Sequence, residues 1–335
     1  MTLVPHLGRR LALSVVLGAI VLAGLSVFTD LRGVRQSFAG FHWPVLGAII
    51  GWTVFNYVLR WAKWEYYLRK LGFGTGVSRL DSGLMFTSGM VMAVTPGKVG
   101  EVFKSYLLKR VNGTPIASSA PIVMAERLTD GLGMLLLMAA GLNLYPSARP
   151  LFWILVVLGI FALAAVQYKP LAEWLLMRTA ETRLTRRIAP QLQAFYDSSF
   201  ALLSWRLLLI STLLSVISWF GECIALYYVL IGLGIPGDAR LLLISTFVFA
   251  ASTLFGLVSF LPGGLGVSEA SSAGLLLLLV AGLSRGGAAA ATVLIRFCTL
   301  WFGVSLGLIG LLIFEQRYKH RTAVQERLNP QNAKL

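Results

Sequence analysis

Charged side chains inside apolar segments are the residues of this chain best placed to do chemistry. Glu126, Arg127 and Asp130 share one apolar run, where spacings of three and four put Asp130 beside both other residues on a helix. Arg296 is the strong charge of a later run. Such groups are costly in a membrane span unless they are paired or hydrated, so each is a candidate functional residue. A guanidinium group suits phosphate because its planar fork donates two parallel hydrogen bonds, but the same residues could form an internal ion pair that fixes packing.

A motif of proline and glycines followed by glutamate occurs twice, once in each half of the chain. The first copy contains Pro96, Gly97, Lys98, Gly100 and Glu101, and the second contains Pro262, Gly263, Gly264, Gly266 and, three residues later, Glu269. Both copies interrupt hydrophobic stretches, and lipid cannot satisfy the backbone groups that they free. We therefore expect both glycine clusters to face the protein interior. Interrupted segments at corresponding places in two halves indicate the binding site of a transporter.

The residues after the first break allow two interpretations. Lys98, Glu101 and Lys104 recur at three-residue intervals, which places them on one face of a short helix. The exposed N–H groups at the start of that helix would attract an anion. The alternative is a cytoplasmic amphipathic helix whose lysines reach towards water.

The second break has no basic residue of its own. Glu269 could neutralise Arg296, accept a proton or bind a cation, or the break could be a tight turn between two crossings. A buried arginine needs a partner, and Glu269 or Glu222 is the natural candidate for Arg296.

Composition predicts a membrane protein. The chain has 335 residues, of which 57% are hydrophobic and 13% charged, too apolar a balance for most soluble domains. The net charge of +15 does not indicate a nucleic-acid partner, because the basic residues concentrate in loops that the predicted topology places in the cytoplasm. No histidine cluster, Walker loop or Cys-x-x-Cys motif is visible, so the sequence predicts no metal and no cofactor. Cys223 and Cys298 are expected to be small buried hydrophobic residues.

The predicted fold is an all-α, polytopic integral membrane protein with about six to eight transmembrane helices. Two broken or re-entrant segments, near 82–95 and within 241–283, would give an inverted-repeat-like arrangement. Basic residues near both ends place both termini in the cytoplasm. The predicted organisation is a transmembrane domain over 1–315, with halves at 1–167 and 207–315, a cytoplasmic connector at 168–206, a cytoplasmic loop at 63–81 that includes Lys63, and a polar tail at 316–335.

These motifs together resemble a known family. The ordered set is Pro-Gly-Lys-Val-Gly-Glu101, then Glu126-Arg127-Leu-Thr-Asp130, then Pro-Gly-Gly-Leu-Gly-Val-Ser-Glu269, then Arg296. It resembles the lysylphosphatidylglycerol synthase transmembrane region, also called the flippase-like domain or uncharacterised protein family 0104, over about residues 10–315. In the two-domain members of that family, this region moves an aminoacylated phospholipid across the inner membrane, and a soluble C-terminal domain attaches the amino acid. Nothing follows residue 335 here, so we expect a stand-alone member without lysyl transfer.

The resemblance and the charged residues together predict a flippase-like protein of the bacterial inner membrane. It would move a phosphate-bearing lipid, such as a phospholipid or an isoprenoid-linked or hopanoid-pathway lipid, between leaflets. Arg127, Arg296 and Lys98 would offset the headgroup charge. The expected partners are membrane lipids with anionic headgroups and enzymes of a lipid or glycan pathway.

Two other functions remain open from the sequence. One is an integral membrane enzyme that acts on a lipid headgroup with Glu101 or Glu269 as base, and the other is a non-catalytic scaffold for a lipid or envelope-glycan pathway. Transport through a shared site requires Arg127 and Arg296 to approach one cavity. The competing expectation is that each arginine has a private ion pair within its own half.

Overall fold

The computed structural model describes residues 31–95, 100–170 and 188–328. Within these ranges the regular structure is helical, without strands. The first half contains α1 (Leu31–Ala39), α2 (Leu46–Lys70), α3 (Arg79–Met90), α4 (Phe103–Asn112), α5 (Ile116–Ala140) and α6 (Arg149–Gln167). The connector contains α7 (Ala189–Leu202), and the second half contains α8 (Trp205–Gly232), α9 (Ala239–Val258), α10 (Val267–Leu279), α11 (Arg285–Arg296) and α12 (Phe302–Leu328). The all-α prediction is confirmed.

Several helices begin at a side-chain cap. Ser78 accepts a hydrogen bond from the backbone N–H of Asp81 at 3.1 Å, and Asp238 accepts one from that of Leu241 at 2.6 Å. A capping oxygen satisfies one of the N–H groups that a helix start leaves without a partner. The caps therefore fix where α3 and α9 begin.

Five helical segments of the described chain are long and apolar enough to cross a membrane. They are Trp43–Lys70, Pro146–Gln167, Trp205–Gly232, Ala239–Val258 and Arg285–Lys319. Helix α5 has 25 residues, which also suffices for a bilayer that takes about 20, but it carries three charges near its middle. On α6, Trp153, Ile154 and Val157 are exposed, as expected for a surface that faces lipid. The chain is a polytopic membrane protein.

Helix α2 extends further than the sequence predicted. It continues to Lys70, so the expectation that Lys63 lies in a cytoplasmic loop is wrong. Lys63 is buried, and its charge is accommodated by an acidic partner described below. Helix α12 likewise runs past the predicted start of the tail at 316, where Arg317 pairs with Asp81 at 2.9 Å.

Two helical hairpins carry the Pro-Gly breaks. Helices α3 and α4 have 12 and 10 residues, too few for a full crossing, and they pack against each other around the first break. Helix α10, with 13 residues, packs against α9 around the second break. The tips of the two hairpins meet, because a Cβ atom added to Gly263 would lie 3.6 Å from the Cα of Val94.

The two halves are interlocked rather than placed side by side. Helix α2 of the first half packs against α8 of the second, and α3 packs along α12. The backbones of α3 and α12 approach closely, since a Cβ atom on Gly307 would lie 2.7 Å from the backbone nitrogen of Val91. Small residues allow such close approach between membrane helices. The interlocking brings both broken hairpins to one region of the interior.

Candidate functional site

A cavity of about 90 Å³ lies where the two hairpins and the long helices meet. It exceeds the roughly 10–15 Å³ that one water molecule requires. Its apolar wall includes Phe86, Trp219 and Phe249. Its ionisable side chains come from both halves and are Tyr57, Arg60, Glu101, Lys104, Glu222 and Arg296. The cavity is therefore a polar site inside a membrane protein.

Arg296 enters the cavity from the end of α11 and is held by the second break. Its Nε donates to Glu269 at 2.5 Å, and its terminal nitrogen donates to the carbonyl of Gly263 at 2.8 Å. Glu269 also accepts a hydrogen bond from the backbone N–H of Gly266 at 2.7 Å. The expectation that Glu269 neutralises Arg296 is confirmed. The break is thus an arginine-binding turn rather than a simple connection.

Glycines make that turn possible. Gly263 and Gly264 have φ angles of 60° and 67°, in the left-handed region that other residues adopt at a cost. A Cβ atom on Gly264 would also lie 2.9 Å from the Cα of Gly256 in α9. Both glycines are buried, as the sequence predicted for this copy of the motif.

The first break is described only in part. The backbone N–H of Gly100 donates to the Thr95 hydroxyl at 2.9 Å, which closes the loop on itself. Pro96, Gly97 and Lys98 lie outside the described residues, so their predicted positions stay predictions.

Lys104 lies on the cavity wall and is almost fully buried. Its ammonium group pairs with Glu126 at 2.5 Å and lies 4.8 Å from the ring centroid of Trp64. Gly89 leaves room for the aliphatic part of the Lys104 side chain, since a Cβ atom on Gly89 would lie only 2.5 Å from Lys104 Cγ. The alternative of a lysine that reaches water from an amphipathic helix is wrong for this residue.

Arg127 links the cavity to the packing core. Its guanidinium lies 3.1 Å from Glu101 and 3.2 Å from Asp130. Asp130 also pairs with Lys63 at 2.5 Å and accepts a hydrogen bond from Ser215 at 2.9 Å. These paired charges form a continuous chain that runs from Lys63 in α2, through Asp130 and Arg127 in α5, to Glu101 at the cavity wall. Each charge has an opposite neighbour, which offsets the cost of removing it from water.

The two arginines reach the cavity differently. Arg296 lines it directly, whereas Arg127 contacts it through Glu101, whose side chain is part of the lining. Each arginine also has its ion pairs within its own half, as the competing expectation proposed. The cavity nevertheless joins the halves, because Lys104 and Arg296 line the same space.

Sequence reasoning missed two cations of α2 and gave a subordinate role to one acid. Arg60 lines the cavity with its guanidinium 5.3 Å from the ring centroid of Trp219, and Lys63 lies one turn further on. Their spacing of three places both residues on one face of a helix. The sequence would have indicated this shared face if the predicted helix had included Lys63. Glu222, which the sequence indicated as an acidic residue of an apolar segment and as a possible partner for Arg296, lines the cavity. Tyr57 borders it and donates its hydroxyl to the carbonyl of Thr299.

No metal site is visible in the part of the chain that the structure describes. There, no three histidine, cysteine, aspartate or glutamate residues are grouped so that they could hold an ion. Cys223 and Cys298 are buried and free, as expected for small hydrophobic residues.

Comparisons with known proteins agree with the membrane fold. The family model of the lysylphosphatidylglycerol synthase TM region matches residues 11–307. Two relatives from Methanothermobacter thermautotrophicus, each described as a UPF0104 membrane protein, are 28% and 27% identical over 63% and 64% of this chain. These alignments cover 66% and 69% of the lengths of the two relatives, so the chain spans just under two thirds of the length of the first relative.

Proposed function

Because this chain belongs to the lysylphosphatidylglycerol synthase TM region family, we propose that it moves a lipid with a phosphate-bearing headgroup between the leaflets of a membrane. The headgroup occupies the cavity between the two hairpins, and the hydrocarbon tails stay in the bilayer. The observation that carries the proposal is the convergence of Arg60 and Arg296, one from each half, on one polar cavity.

Arg60 is the principal phosphate contact in this proposal. Arg296 and Lys104 already have carboxylate partners at 2.5 Å, whereas Arg60 has no ion pair among the described residues and rests against Trp219. Its planar fork can donate two hydrogen bonds to phosphate oxygens without first breaking an ion pair. Arg296 and Lys104 add positive potential at the cavity wall, where low dielectric strengthens it.

Glu101 and Glu269 keep the basic groups oriented before a headgroup binds. Glu269 holds Arg296 against the second break, and Glu101 holds Arg127 beside the first. A headgroup that reaches the cavity from either side meets the same preformed cations. That symmetry suits a site that opens to each leaflet in turn.

The orientation in the membrane follows from the positions of basic residues. Arg110 at the end of α4 pairs with Glu315, and Arg317 pairs with Asp81 at the start of α3. These contacts gather the basic ends of several helices on one side of the molecule. We propose that this side faces the cytoplasm of a cell whose inner membrane holds the protein, and that both termini are cytoplasmic, as the basic residues near the ends of the sequence predict.

A leaflet-resolved assay in proteoliposomes tests the proposal. A fluorescent phosphatidylglycerol analogue is placed in one leaflet, and its movement is followed with a membrane-impermeant quencher. The wild-type protein should accelerate movement over protein-free vesicles. It should not accelerate an uncharged glycolipid analogue, because that lipid brings no phosphate to Arg60.

The matched variants are Arg60→Gln and Arg69→Gln, both in α2. Arg60→Gln removes a charge-assisted contact worth roughly 1.5–3 kcal/mol and should slow movement about ten- to a hundredfold. Arg69 is 65% exposed and, within the part of the chain that the structure describes, pairs with Glu65 alone, so Arg69→Gln should behave as wild type. Failure of the wild-type protein to exceed protein-free vesicles would refute the proposal, and equal rates for Arg60→Gln and wild type would remove Arg60 from it.

A further inference from the structure

We infer that Glu222 is a proton-binding carboxyl group, and that it takes up one proton for each phosphate-bearing lipid that the protein moves. The inference rests on the proposed lipid movement and adds to it the ion that accompanies the lipid. Its basis is the position of Glu222 in the cavity, its lack of a hydrogen-bond partner at one oxygen, and the charge balance around it.

Glu222 differs from the other acidic residues of the interior. Its side chain is buried, with the residue 2% exposed, and it lines the cavity from α8. Its Oε2 atom has no hydrogen-bond partner, and no described ion pair includes it. Glu101, Glu126, Asp130 and Glu269, by contrast, each pair with a basic side chain. Glu222 is thus the acidic group whose protonation would break no described ion pair.

The ionisable groups around Glu222 come from every side of the cavity. Tyr57 and Arg60 of α2, Glu101 and Lys104 of the first hairpin, and Arg296 of α11 line the cavity with Glu222. The buried thiols of Cys223 and Cys298 lie outside the lining but close enough to interact with the charge of Glu222. Helix α9 contributes Phe249 and Thr253, which do not titrate. Helix α5 faces α8 with Asp130, which is already bound to Lys63 and Ser215. Of the cations that line the cavity, Arg60 is the one that has no ion pair among the described residues.

Charge balance explains why a proton is needed. Among the described residues, the interior set consists of five basic side chains (Arg60, Lys63, Lys104, Arg127 and Arg296) and five acidic ones (Glu101, Glu126, Asp130, Glu222 and Glu269). With Glu222 ionised this set is neutral. A phosphodiester headgroup adds one negative charge, which is costly in a low-dielectric interior unless it is offset.

Protonation of Glu222 restores neutrality in one step. One carboxylate oxygen takes a proton from water in the cavity and becomes a neutral carboxylic acid, and no other bond is broken. The neutral Glu222 then no longer repels the phosphate that Arg60 binds. When the headgroup leaves on the other side, Glu222 returns the proton to water there. The lipid and its proton therefore cross together with no net charge.

The test uses the intact protein in proteoliposomes with a pH-sensitive dye in the lumen and a fluorescent phosphatidylglycerol analogue in the membrane. With one proton per lipid, a pH difference of one unit should shift the steady-state ratio of the analogue between leaflets about tenfold. Movement of the lipid should be accompanied by a matching luminal pH change. A membrane potential set with potassium and an ionophore should have no effect, because the co-transport is electroneutral.

Glu222→Gln mimics the protonated state and keeps the side-chain volume. It should still allow the lipid to equilibrate between leaflets, but the ratio should no longer respond to pH and the dye signal should disappear. Glu65→Gln, in α2 and outside the cavity lining, is the control and should keep both responses. Continued equilibration by Glu222→Gln shows that the variant is folded and separates coupling from transport.

Three results would overturn the inference, and they differ from failure of the proposed function. Lipid movement without a pH response in the wild-type protein would refute proton coupling while leaving transport intact. A response to a sodium gradient in place of a pH gradient would make Glu222 a metal-cation site. A pH response that survives in Glu222→Gln would assign the proton to another residue. Absence of any lipid movement by the wild-type protein would refute the proposed function itself, and the inference with it.

Discussion

At the scale of single residues, the interior charges were only partly predictable. The Arg127–Asp130 pair follows from a spacing of three on one helix, and the Arg296–Glu269 pair from two charges in neighbouring segments. The pairs Lys104–Glu126 and Lys63–Asp130 join residues 22 and 67 positions apart. Such pairs depend on how helices pack, which local spacing does not encode.

The Lys63–Asp130 pair gives a test of stability. Lys63→Met leaves Asp130 buried with one cation fewer, and breaking a buried pair in this way costs about 3–5 kcal/mol. We expect a clear fall in the midpoint of thermal unfolding in detergent. In Lys63→Met/Asp130→Asn both charges are absent, Arg127 keeps Glu101, and most of the loss should be recovered.

The control for that test is an exposed pair on the same helix. Arg69 and Glu65 are 3.6 Å apart with Arg69 largely exposed, so Arg69→Met should change stability by less than about 1 kcal/mol. If the Lys63→Met protein were as stable as wild type, the buried pair would not stabilise the fold.

At the scale of helices, the Pro-Gly breaks were easier to predict from the sequence than the positions at which helices end. Pro-Gly motifs are local signals, so the tip of the second hairpin was found from its motif. For the first break, the structure describes the flanking residues Thr95 and Gly100 but not the residues between them. The end of α2 was misplaced because Arg60 and Lys63 look like a membrane boundary when read along the chain. In the structure they face the cavity and the buried Asp130, respectively. A charged face directed inward cannot be told from a helix end without knowing its neighbours.

The contact between α3 and α12 gives a test at this scale. A Cβ atom on Gly307 would lie 2.7 Å from the backbone nitrogen of Val91 and 2.8 Å from the carbonyl oxygen of Thr87. Neither atom can move without shifting α3, so Gly307→Ala should destabilise the protein by about 1–3 kcal/mol despite alanine's better helix propensity.

Gly51→Ala is the matched substitution for Gly307→Ala. Gly51 also lies in a membrane helix, and no atom lies within 4 Å of its added Cβ. It should be neutral or slightly stabilising in the same thermal unfolding measurement. Equal effects of the two substitutions would mean that α3 and α12 do not pack as closely as the structure has them.

At the scale of the whole molecule, the repeated motif predicted two related halves, and it gave no indication that they interlock. Helix packing between α2 and α8 and between α3 and α12 places each half against the other's long helices. The prediction of one cavity shared by both halves came from the cost of isolated arginines rather than from any pattern of contacts. Distances between segments far apart in the chain were beyond the reach of a single sequence.

The contact between the two hairpin tips can be tested by cross-linking. An added Cβ on Gly263 would lie 3.6 Å from Val94 Cα, so cysteines at the two positions would be near enough for a disulfide, which joins Cα atoms up to about 6.8 Å apart. In a protein with Cys223 and Cys298 replaced by alanine, Val94→Cys/Gly263→Cys should form a disulfide on mild oxidation. The linked protein should stop moving lipid, and reduction should restore movement.

The pair Val94→Cys/Gly274→Cys is the control for the cross-link, because no atom lies within 4 Å of a Cβ added to Gly274. It should remain reduced under the same conditions. Unchanged lipid movement after complete cross-linking of the tips would show that the hairpins need not separate during transport.

The most direct test of the central claim is to map where the headgroup binds. A phosphatidylglycerol analogue with a photoactivatable group on its headgroup is cross-linked to the protein in proteoliposomes, and the labelled peptides are identified by mass spectrometry. We predict labelling of cavity residues from both halves, such as Met90 and Phe249, with about ten- to a hundredfold less label in Arg60→Gln. Labelling confined to the basic helix ends near Arg110 and Arg317, unchanged by Arg60→Gln, would contradict the account.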